Sequence, residues 1–397
     1  MAYRILTLDG GGAWAILEAM ALKEIFGDID GLQILKKFDL VASNSGGSIV
    51  LGALIAGYKP SRVIDFFLSD SERDKIFAKL PWWKKIPSSV IGVGARYSTE
   101  GKRNGIASFL GAPLANTAMK DLAGALGSTK IFIMGFDYDW LRAEFYRSHD
   151  NLAGSKASAI ALADAINASS TAPVNYFDEP AKANDTRRHW DGGLGGYNNP
   201  ILAAVVEARI AGIAPDQISA LSIGTGTVRL LRKDHPGSAP DKYVEPWKEP
   251  ASLKRDIMKV ATCILGDPPD AASYTSYIML GNPPRPPTES GSGNIVRLNP
   301  MVQPCYDSTK DCWGPPPGLS EGEFDALITM DSDAAAPGDV AKVHKLGQAW
   351  MNPALNYPNQ PIRMGLPKMD CEVGDPTFAA GLARWRAISK PPKVPIA

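Results

Sequence analysis

Residues 38–54 constrain the fold of this 397-residue chain more than any other stretch, because they read as a strand, a sharp turn and a helix. The apolar run 40–42 is typical of a buried strand, and the small apolar residues 49–56 are typical of a buried helix. Ser45 lies at the turn between them. A serine on such a turn projects its hydroxyl from the backbone, beside the amides that begin the helix. The stretch predicts a nucleophile elbow, although Gly and Ser also occur in many turns without catalytic function.

A second strand-to-helix turn lies near the start of the chain. Residues 4–8 predict a first strand, and apolar residues recur at helical spacing over residues 14–26. Between them stand Asp9 and three glycines, Gly10 to Gly12. Such a turn presents backbone N–H groups that suit a phosphate or a developing oxyanion, and it also occurs as a plain tight turn. The phosphate alternative is disfavoured, because the turn matches neither a P-loop nor the dinucleotide fingerprint.

Strands and helices alternate through the first part of the chain. This alternation predicts an α/β fold, a three-layer α/β/α sandwich around a mainly parallel sheet. Beyond residue 229 the chain becomes rich in Pro, Gly and Ser. The further predicted strands are 129–138, 144–148, 188–190, 218–223 and 295–298, the further predicted helices are 59–69, 156–168, 201–211, 251–265 and 340–350, and residues 92–105 are predicted to be a loop.

The composition argues against several classes of function. Lys plus Arg and Asp plus Glu number 42 each, so nothing favours nucleic acid as a partner. The four cysteines are too few for a disulfide scaffold and lack the spacing of a zinc or redox site. No apolar run is long enough for a membrane span, so any membrane contact is expected to be peripheral. Because an apolar strand follows Met1 almost directly, we expect no signal peptide and a cytoplasmic location.

One short segment combines aromatic and basic residues. Trp82 and Trp83 stand beside two lysines, a combination that suits the boundary between water and lipid. The same combination is common on the packed surfaces of soluble proteins. Both interpretations stay open at the level of the sequence.

Taken together and in order, four motifs resemble those of the patatin-like phospholipase family. That family has an Asp-Gly-Gly-Gly turn, an elbow serine, an Asp-Gly-Gly and a Ser-Ile-Gly-Thr-Gly segment. The resemblance implies a patatin-like phospholipase domain over residues 1–351 and leaves residues 352–397 as a Pro-rich C-terminal tail of unknown role. The matching residues are 9–12, Ser45, 191–193 and 222–226. The segments 168–173, 176–177, 198–200 and 296–300 also resemble the family sequence.

The resemblance implies a lipid acyl hydrolase of phospholipase A or lysophospholipase type. Ser45 and Asp191 would form a catalytic dyad, with Gly10, Gly11 and Gly12 as oxyanion-hole donors. In this chemistry the carboxylate takes the serine proton and the amides stabilise the tetrahedral anion. Water activated by the same carboxylate releases the acyl group, so neither a metal nor an organic cofactor is required. The expected partner is a phospholipid or another acyl lipid.

Two departures from the family pattern leave alternatives open. Ser43 replaces the first elbow glycine, and Trp14 with Ala15 replaces a basic residue and a glycine after the Gly-rich turn. One alternative is a conventional Ser-Asp-His triad, for which His235 in a Pro-rich loop is the candidate base. Another is a lipid-binding protein whose site these changes have inactivated.

Overall fold

A mixed sheet forms the centre of the protein. The computed structural model describes residues 2–81, 94–174, 176–183, 187–231, 239–245, 253–283, 293–334, 336–363 and 372–389. The strands are β1 (Tyr3–Leu8), β2 (Leu40–Ser43), β3 (Lys130–Asp137), β4 (Arg142–Arg147), β5 (Ala181–Ala183), β6 (Arg187–Asp191), β7 (Ile218–Ile223), β8 (Thr227–Val228), β9 (Ile295–Leu298), β10 (Met301–Val302), β11 (Cys305–Asp307) and β12 (Cys312–Gly314).

The main sheet has eight strands in the order β5-β6-β3-β2-β1-β7-β9, with β4 paired to β3. Strands β1, β2, β3, β7 and β9 are parallel, whereas β4, β5 and β6 run antiparallel to their neighbours. Two small two-stranded sheets, β10-β8 and β11-β12, lie outside it. The predicted mainly parallel sheet is therefore confirmed.

Helices cover both faces of the sheet. In β1, Ile5 packs into one buried apolar cluster and Leu6 and Leu8 into another, because successive side chains of a strand point to opposite faces. The predicted three-layer α/β/α sandwich is thus confirmed. The helices are α1 (Ile16–Phe26), α2 (Gly31–Leu35), α3 (Ser45–Ile55), α4 (Pro60–Leu68), α5 (Asp70–Ile76), α6 (Thr99–Leu110), α7 (Ala112–Ala115), α8 (Ala123–Leu126), α9 (Leu162–Ser169), α10 (Ile201–Ile210), α11 (Leu253–Met279), α12 (Glu321–Thr329), α13 (Asp339–Met351) and α14 (Phe378–Ile388).

The register of β3 brings the ends of β2 and β6 together. Strand β4 pairs with β3 over six residues, so β2 and β6 must share the other edge of β3. On that edge Ser43 is paired with Ile133, and Asp191 is paired with Gly135. Since β6 runs antiparallel to β3, the two strands end facing each other, about 7 Å apart along β3. The residues that follow β2 therefore meet the last residue of β6.

Several predicted boundaries were wrong. Helix α11 does not end at residue 265 but continues through Pro268 and Pro269 to Met279. Its second half buries Ala272 and Tyr277 in the core that it shares with α10, and this packing overrides the helix-breaking tendency of proline. Helix α9 begins at Leu162 rather than at residue 156.

The C-terminal segment, whose structure the sequence left unassigned, contacts the body of the protein. Its helix α14 places Trp385 in a stacked contact with Phe38, with ring centroids 5.9 Å apart. Upstream, the backbone N–H of Gln360 donates to the backbone carbonyl of Asn299 at 2.8 Å. Within the described ranges, no helix combines the length and the apolar character needed to cross a membrane.

Candidate active site

Ser45 sits on a strained turn between β2 and α3. Its φ angle is 48°, in the left-handed region that residues other than glycine seldom adopt. Its N–H donates to Ser169 Oγ at 3.0 Å, which ties the turn to the end of α9. Ser43, which replaces the usual glycine, is fully buried, and its hydroxyl lies 3.0 Å from Ser48 Oγ. The substitution is thus accommodated by a hydrogen bond inside the elbow.

The elbow packs directly on the Gly-rich turn. A Cβ atom on Gly46 would lie 2.5 Å from Gly12 O, and one on Gly47 would lie 2.6 Å from Asp9 O. Both distances are too short for a side chain. The two glycines are therefore needed because the backbones of the two strand-to-helix turns touch at these positions.

Asp191 ends β6 and is buried beside the elbow. Its Oδ1 atom accepts hydrogen bonds from Asn44 Nδ2 at 3.0 Å and from the Gly193 N–H at 2.8 Å. Its own N–H donates to Thr171 O at 2.8 Å. The Ser45 hydroxyl is near enough to the carboxylate to lower the pKa of Asp191. The structure thus brings together two of the residues singled out from the sequence, 146 positions apart (191 − 45).

The surroundings of Asp191 set its basicity. Burial raises the pKa of the carboxyl above its ordinary value, because the charged form loses its hydration. Hydrogen bonds from Ser45, Gly193 and Asn44, together with the positive charge of Lys102, oppose this rise in pKa. The result is a carboxylate that is more basic than an exposed one and has a hydroxyl within reach.

The three glycines of the first turn differ in their hydrogen bonding. The Gly10 N–H donates to Asn198 O at 2.8 Å, so this amide is already engaged. In the described part of the chain, the N–H groups of Gly11 and Gly12 have no hydrogen-bond acceptor. Thr225 Oγ1 donates to Gly10 O at 2.7 Å and holds the turn from the opposite side. Two of the three predicted donors are thus free to bind an anion.

A buried arginine, whose role was not predicted from the sequence, supports this turn. Arg297 on β9 donates to Asp9 Oδ2 at 2.5 Å and to Ser222 Oγ at 2.8 Å. It thereby links the first residue of the turn to the Ser-Ile-Gly-Thr-Gly segment. The sequence feature that could have identified Arg297 is its position as a lone arginine in the otherwise apolar strand Ile295–Leu298, because a charge is rarely buried without a partner.

Lys102 is a second buried cation that sequence reasoning missed. Its side chain is 1% exposed, and its Nζ donates to Asn167 O at 3.1 Å, Ser170 Oγ at 3.1 Å and Thr171 Oγ1 at 2.7 Å. The ammonium also lies 4.0 Å from the centroid of the Phe177 ring. Burial lowers the pKa of Lys102 well below its ordinary value. All of its strong contacts are with neutral groups.

The contacts of Lys102 matter because they fix residues 167–171. That segment carries Ser169, which binds the Ser45 amide, and Thr171, which binds the Asp191 amide. The prediction of a loop over residues 92–105 was wrong from Thr99 onwards, where α6 begins. On that helix Lys102 shares the buried face of Ile106, a spacing that could have identified it.

We expect the Lys102→Met variant to shift the acid limb of the kcat/KM profile to higher pH. In its charged form Lys102 lowers the pKa of Asp191, so removing the ammonium leaves the carboxylate protonated up to a higher pH. Esterase assays across the pH range check this. The exposed Lys120→Met is the matched control. An unshifted acid limb in a folded Lys102→Met protein would contradict a charge effect on Asp191.

Trp14 does not replace the missing basic residue at the site. It is buried, and its Nε1 donates to Asp331 O at 3.3 Å. Its ring faces Gly226, where an added Cβ would lie 3.2 Å from Trp14 Cε3. The residue therefore joins the Gly-rich turn to the segment around Asp331 and leaves no cation at this position.

A group of possible metal ligands lies on the strands next to Asp191. Asp137, Glu144 and His189 bring ligand atoms within 4.8 Å of one another. Arg187 Nη1, however, donates to Asp137 Oδ2 at 2.8 Å and to Glu144 Oε2 at 3.2 Å. The arginine supplies the positive charge that these carboxylates require, so we interpret the group as an ion-pair cluster.

The histidines bear on the triad alternative. His149 Nε2 lies 3.1 Å from Glu207 Oε1, and the ring of His189 packs against Tyr146. Among the described residues, no histidine is hydrogen-bonded to Ser45 or Asp191. His235, the candidate base, lies outside the described residues, as do Trp82 and Trp83.

Comparison with known proteins identifies the family. A family model described as Patatin-like phospholipase matches residues 6–205. The chain belongs to this family. At the level of the family it is a lipid acyl hydrolase, and the matched range contains the elbow, the Gly-rich turn and Asp191. A comparison with curated proteins gives no match.

Three solved structures are similar to this patatin-like protein. VipD from Legionella pneumophila has 11% identity and a TM-score of 0.33, over 88% of this chain and 67% of VipD. Human GIVD cytosolic phospholipase A2 has 12% identity and a TM-score of 0.24, over 38% of this chain and 22% of that one. The type III effector protein ExoU has 14% identity and a TM-score of 0.24, over 43% of this chain and 40% of that one.

Proposed function

We propose that this protein hydrolyses fatty-acyl ester bonds of phospholipids or lysophospholipids through a Ser45–Asp191 dyad. The observation that carries the proposal is that Ser45, whose backbone is strained, follows directly after Asn44, which binds the buried carboxylate of Asp191. Strain at a nucleophile is typical of elbows that present a hydroxyl to substrate. Family membership supports the lipid substrate class.

In the acylation step, Asp191 takes the proton of the Ser45 hydroxyl as the oxygen attacks the ester carbonyl. The raised pKa of Asp191 favours this transfer, since a more basic carboxylate is a better general base. The free amides of Gly11 and Gly12 stabilise the negative oxygen of the tetrahedral intermediate. Asp191 then protonates the leaving alcohol and an acyl-enzyme remains.

Deacylation uses the same groups in reverse roles. Asp191 accepts a proton from water, which attacks the acyl carbonyl, and then returns that proton to Ser45 as the fatty acid leaves. The hydrogen bonds from Asn44 and Gly193 hold the carboxylate in one orientation through both steps. The proposal involves no histidine and no cofactor in either step.

A fluorophosphonate probe tests the nucleophile. We expect the probe to label the wild-type chain on Ser45 and to leave Ser45→Ala unlabelled, because only an activated serine attacks phosphorus at a useful rate. Mass spectrometry of the labelled peptide identifies the modified residue. Wild-type protein that stays unlabelled while folded would instead support the alternative of an inactive lipid-binding protein.

The same assay separates the dyad from a triad. Under the proposal, we expect the His235→Ala variant to be labelled by the probe and to hydrolyse the ester like the wild type. If His235→Ala loses as much activity as Ser45→Ala, the general base is a histidine and the dyad is wrong.

A further inference from the structure

The turn between β3 and β4 exposes three large apolar side chains. Trp140 and Leu141 are 70% and 66% exposed, and Tyr138 is 41% exposed. Exposed apolar residues that stand singly are normal, but adjacent ones form a patch. Residues 138–141 are called the β3–β4 tip below.

The tip lies at the same end of the sheet as the candidate active site. Strands β2 and β3 are parallel, so their carboxyl ends point the same way. Ser43, at the end of β2, pairs with Ile133, and β3 then continues for four more residues to Asp137. Four residues of strand span about 13 Å. The tip therefore projects beyond the level of Ser45 on the same side of the protein.

Leu141 occupies an unfavourable backbone conformation. Its φ angle is 54°, in the left-handed region that is sterically unfavourable for a non-glycine residue. Glycine or asparagine would relieve this strain at an exposed turn. A leucine that is both strained and exposed lowers the stability of the turn and the solubility of the protein. Residues that are unfavourable in both respects are characteristic of functional positions.

The tip is held rigidly. Asp137 Oδ1 accepts the N–H groups of Asp139 and Trp140, both at 2.9 Å. The Arg187 guanidinium lies 5.2 Å from the centroid of a Trp140 ring, and the Arg188 guanidinium lies 4.8 Å from that of Tyr138. Both arginines are ion-paired, Arg187 with Asp137 and Glu144 and Arg188 with Asp139, so they hold the two rings in place. Aromatic rings fixed at an exposed turn suit the level of lipid head groups.

A loop beside Asp191 has the same character. Val174 has a φ angle of 71° and is exposed, although β-branched residues are rarely found at positive φ. It follows Thr171, whose carbonyl binds the Asp191 amide, by three residues. A second strained and exposed apolar residue thus stands in a loop bordering the candidate site.

We propose that the β3–β4 tip is a lipid-docking element that inserts Trp140 and Leu141 into the surface of a phospholipid bilayer. The inference rests on the proposed function, because a lipid hydrolase must take its substrate from such a surface. Insertion of the tip into the bilayer brings the carboxyl end of the sheet, with Ser45, towards the acyl esters. A stable protein partner would need about 800 Å² on this side, more than a four-residue tip provides.

Vesicle sedimentation tests the proposal with the full chain. All proteins carry Ser45→Ala, so that binding is measured without hydrolysis and independently of the proposed chemistry. Sucrose-loaded vesicles contain equal parts of phosphatidylcholine and phosphatidylglycerol. We expect Trp140→Ser/Leu141→Ser to lower the partition coefficient at least about tenfold, because most of the inserted apolar area is lost.

Leu152→Ser is the matched control. Leu152 is 79% exposed, but it follows β4. Because β4 runs antiparallel to β3, it ends at the opposite end of the sheet from the tip. We expect its partition coefficient to stay within about twofold of the Ser45→Ala parent. Equal binding by the tip variant and its parent would overturn the proposal, and so would no binding by the parent.

Leu141→Gly separates docking from folding. Since glycine accepts positive φ, this variant should have an equal or higher Tm than its parent and yet bind vesicles more weakly. In the otherwise wild-type chain, the double tip variant should still react with the fluorophosphonate probe at the wild-type rate. A Leu141→Gly protein that is more stable and binds vesicles as well as its parent would contradict the assigned role.

Discussion

The Asp191→Asn variant should lose roughly 10³-fold in kcat/KM for a lipid ester while keeping its fold. An asparagine oxygen can still accept the hydrogen bonds of Asn44 and Gly193, so the packing around position 191 is preserved. What the amide cannot do is take the proton of Ser45. Steady-state hydrolysis of a short-chain phospholipid, with Tm measured in parallel, checks both halves of this expectation.

The pH dependence provides a second readout for Asp191. In the wild type, activity should fall as the pH drops through the pKa of Asp191, which burial raises above its ordinary value. The residual activity of Asp191→Asn should lack this acid limb. Asp164→Asn is a suitable control, because that carboxylate lies on α9 and pairs with Arg103 away from the elbow. Asp191→Asn with more than a tenth of wild-type activity would point to a different base.

The strand-to-helix turns could be predicted from the sequence because their signals are local. The elbow residue Ser45, the Gly-rich turn and the parallel sheet all follow from apolar runs interrupted by glycine. The meeting of Ser45 with Asp191 has no such local signal. The family resemblance implied it, and in the structure it depends on the register of β3 with β2 and β6.

The remaining features of the site are long-range. The Lys102 ammonium contacts residues 65 to 69 positions away, and Arg297 contacts Asp9 across 288 positions. Nothing in the neighbouring sequence specifies these partners. Helix α11 shows the same limit, because a pair of prolines predicts a helix end unless the tertiary packing of the following turns is known.

Gly11→Ala should reduce kcat by about 10²–10³-fold, the effect of losing an oxyanion-hole donor. The φ angle at Gly11 is 169°, outside the left-handed region that favours glycine. The obstacle is Thr225, whose side chain a Cβ on Gly11 would overlap. The Gly-rich turn must therefore move away from Thr225, and the free amides of Gly11 and Gly12 move with it.

The design of the Gly11 experiment separates displacement of the amides from general damage. Thr225→Gly removes the overlapping side chain, so Gly11→Ala/Thr225→Gly should recover part of the lost kcat relative to Gly11→Ala. Gly124→Ala is the matched control, because no atom lies within 4 Å of the added Cβ at that position. Fluorophosphonate labelling of Ser45 should slow in parallel with kcat, since the phosphonyl oxygen would use the same amides. Full kcat and labelling in Gly11→Ala would show that the Gly-rich turn is not the oxyanion hole, and the anion would then have to be stabilised from another side of Ser45.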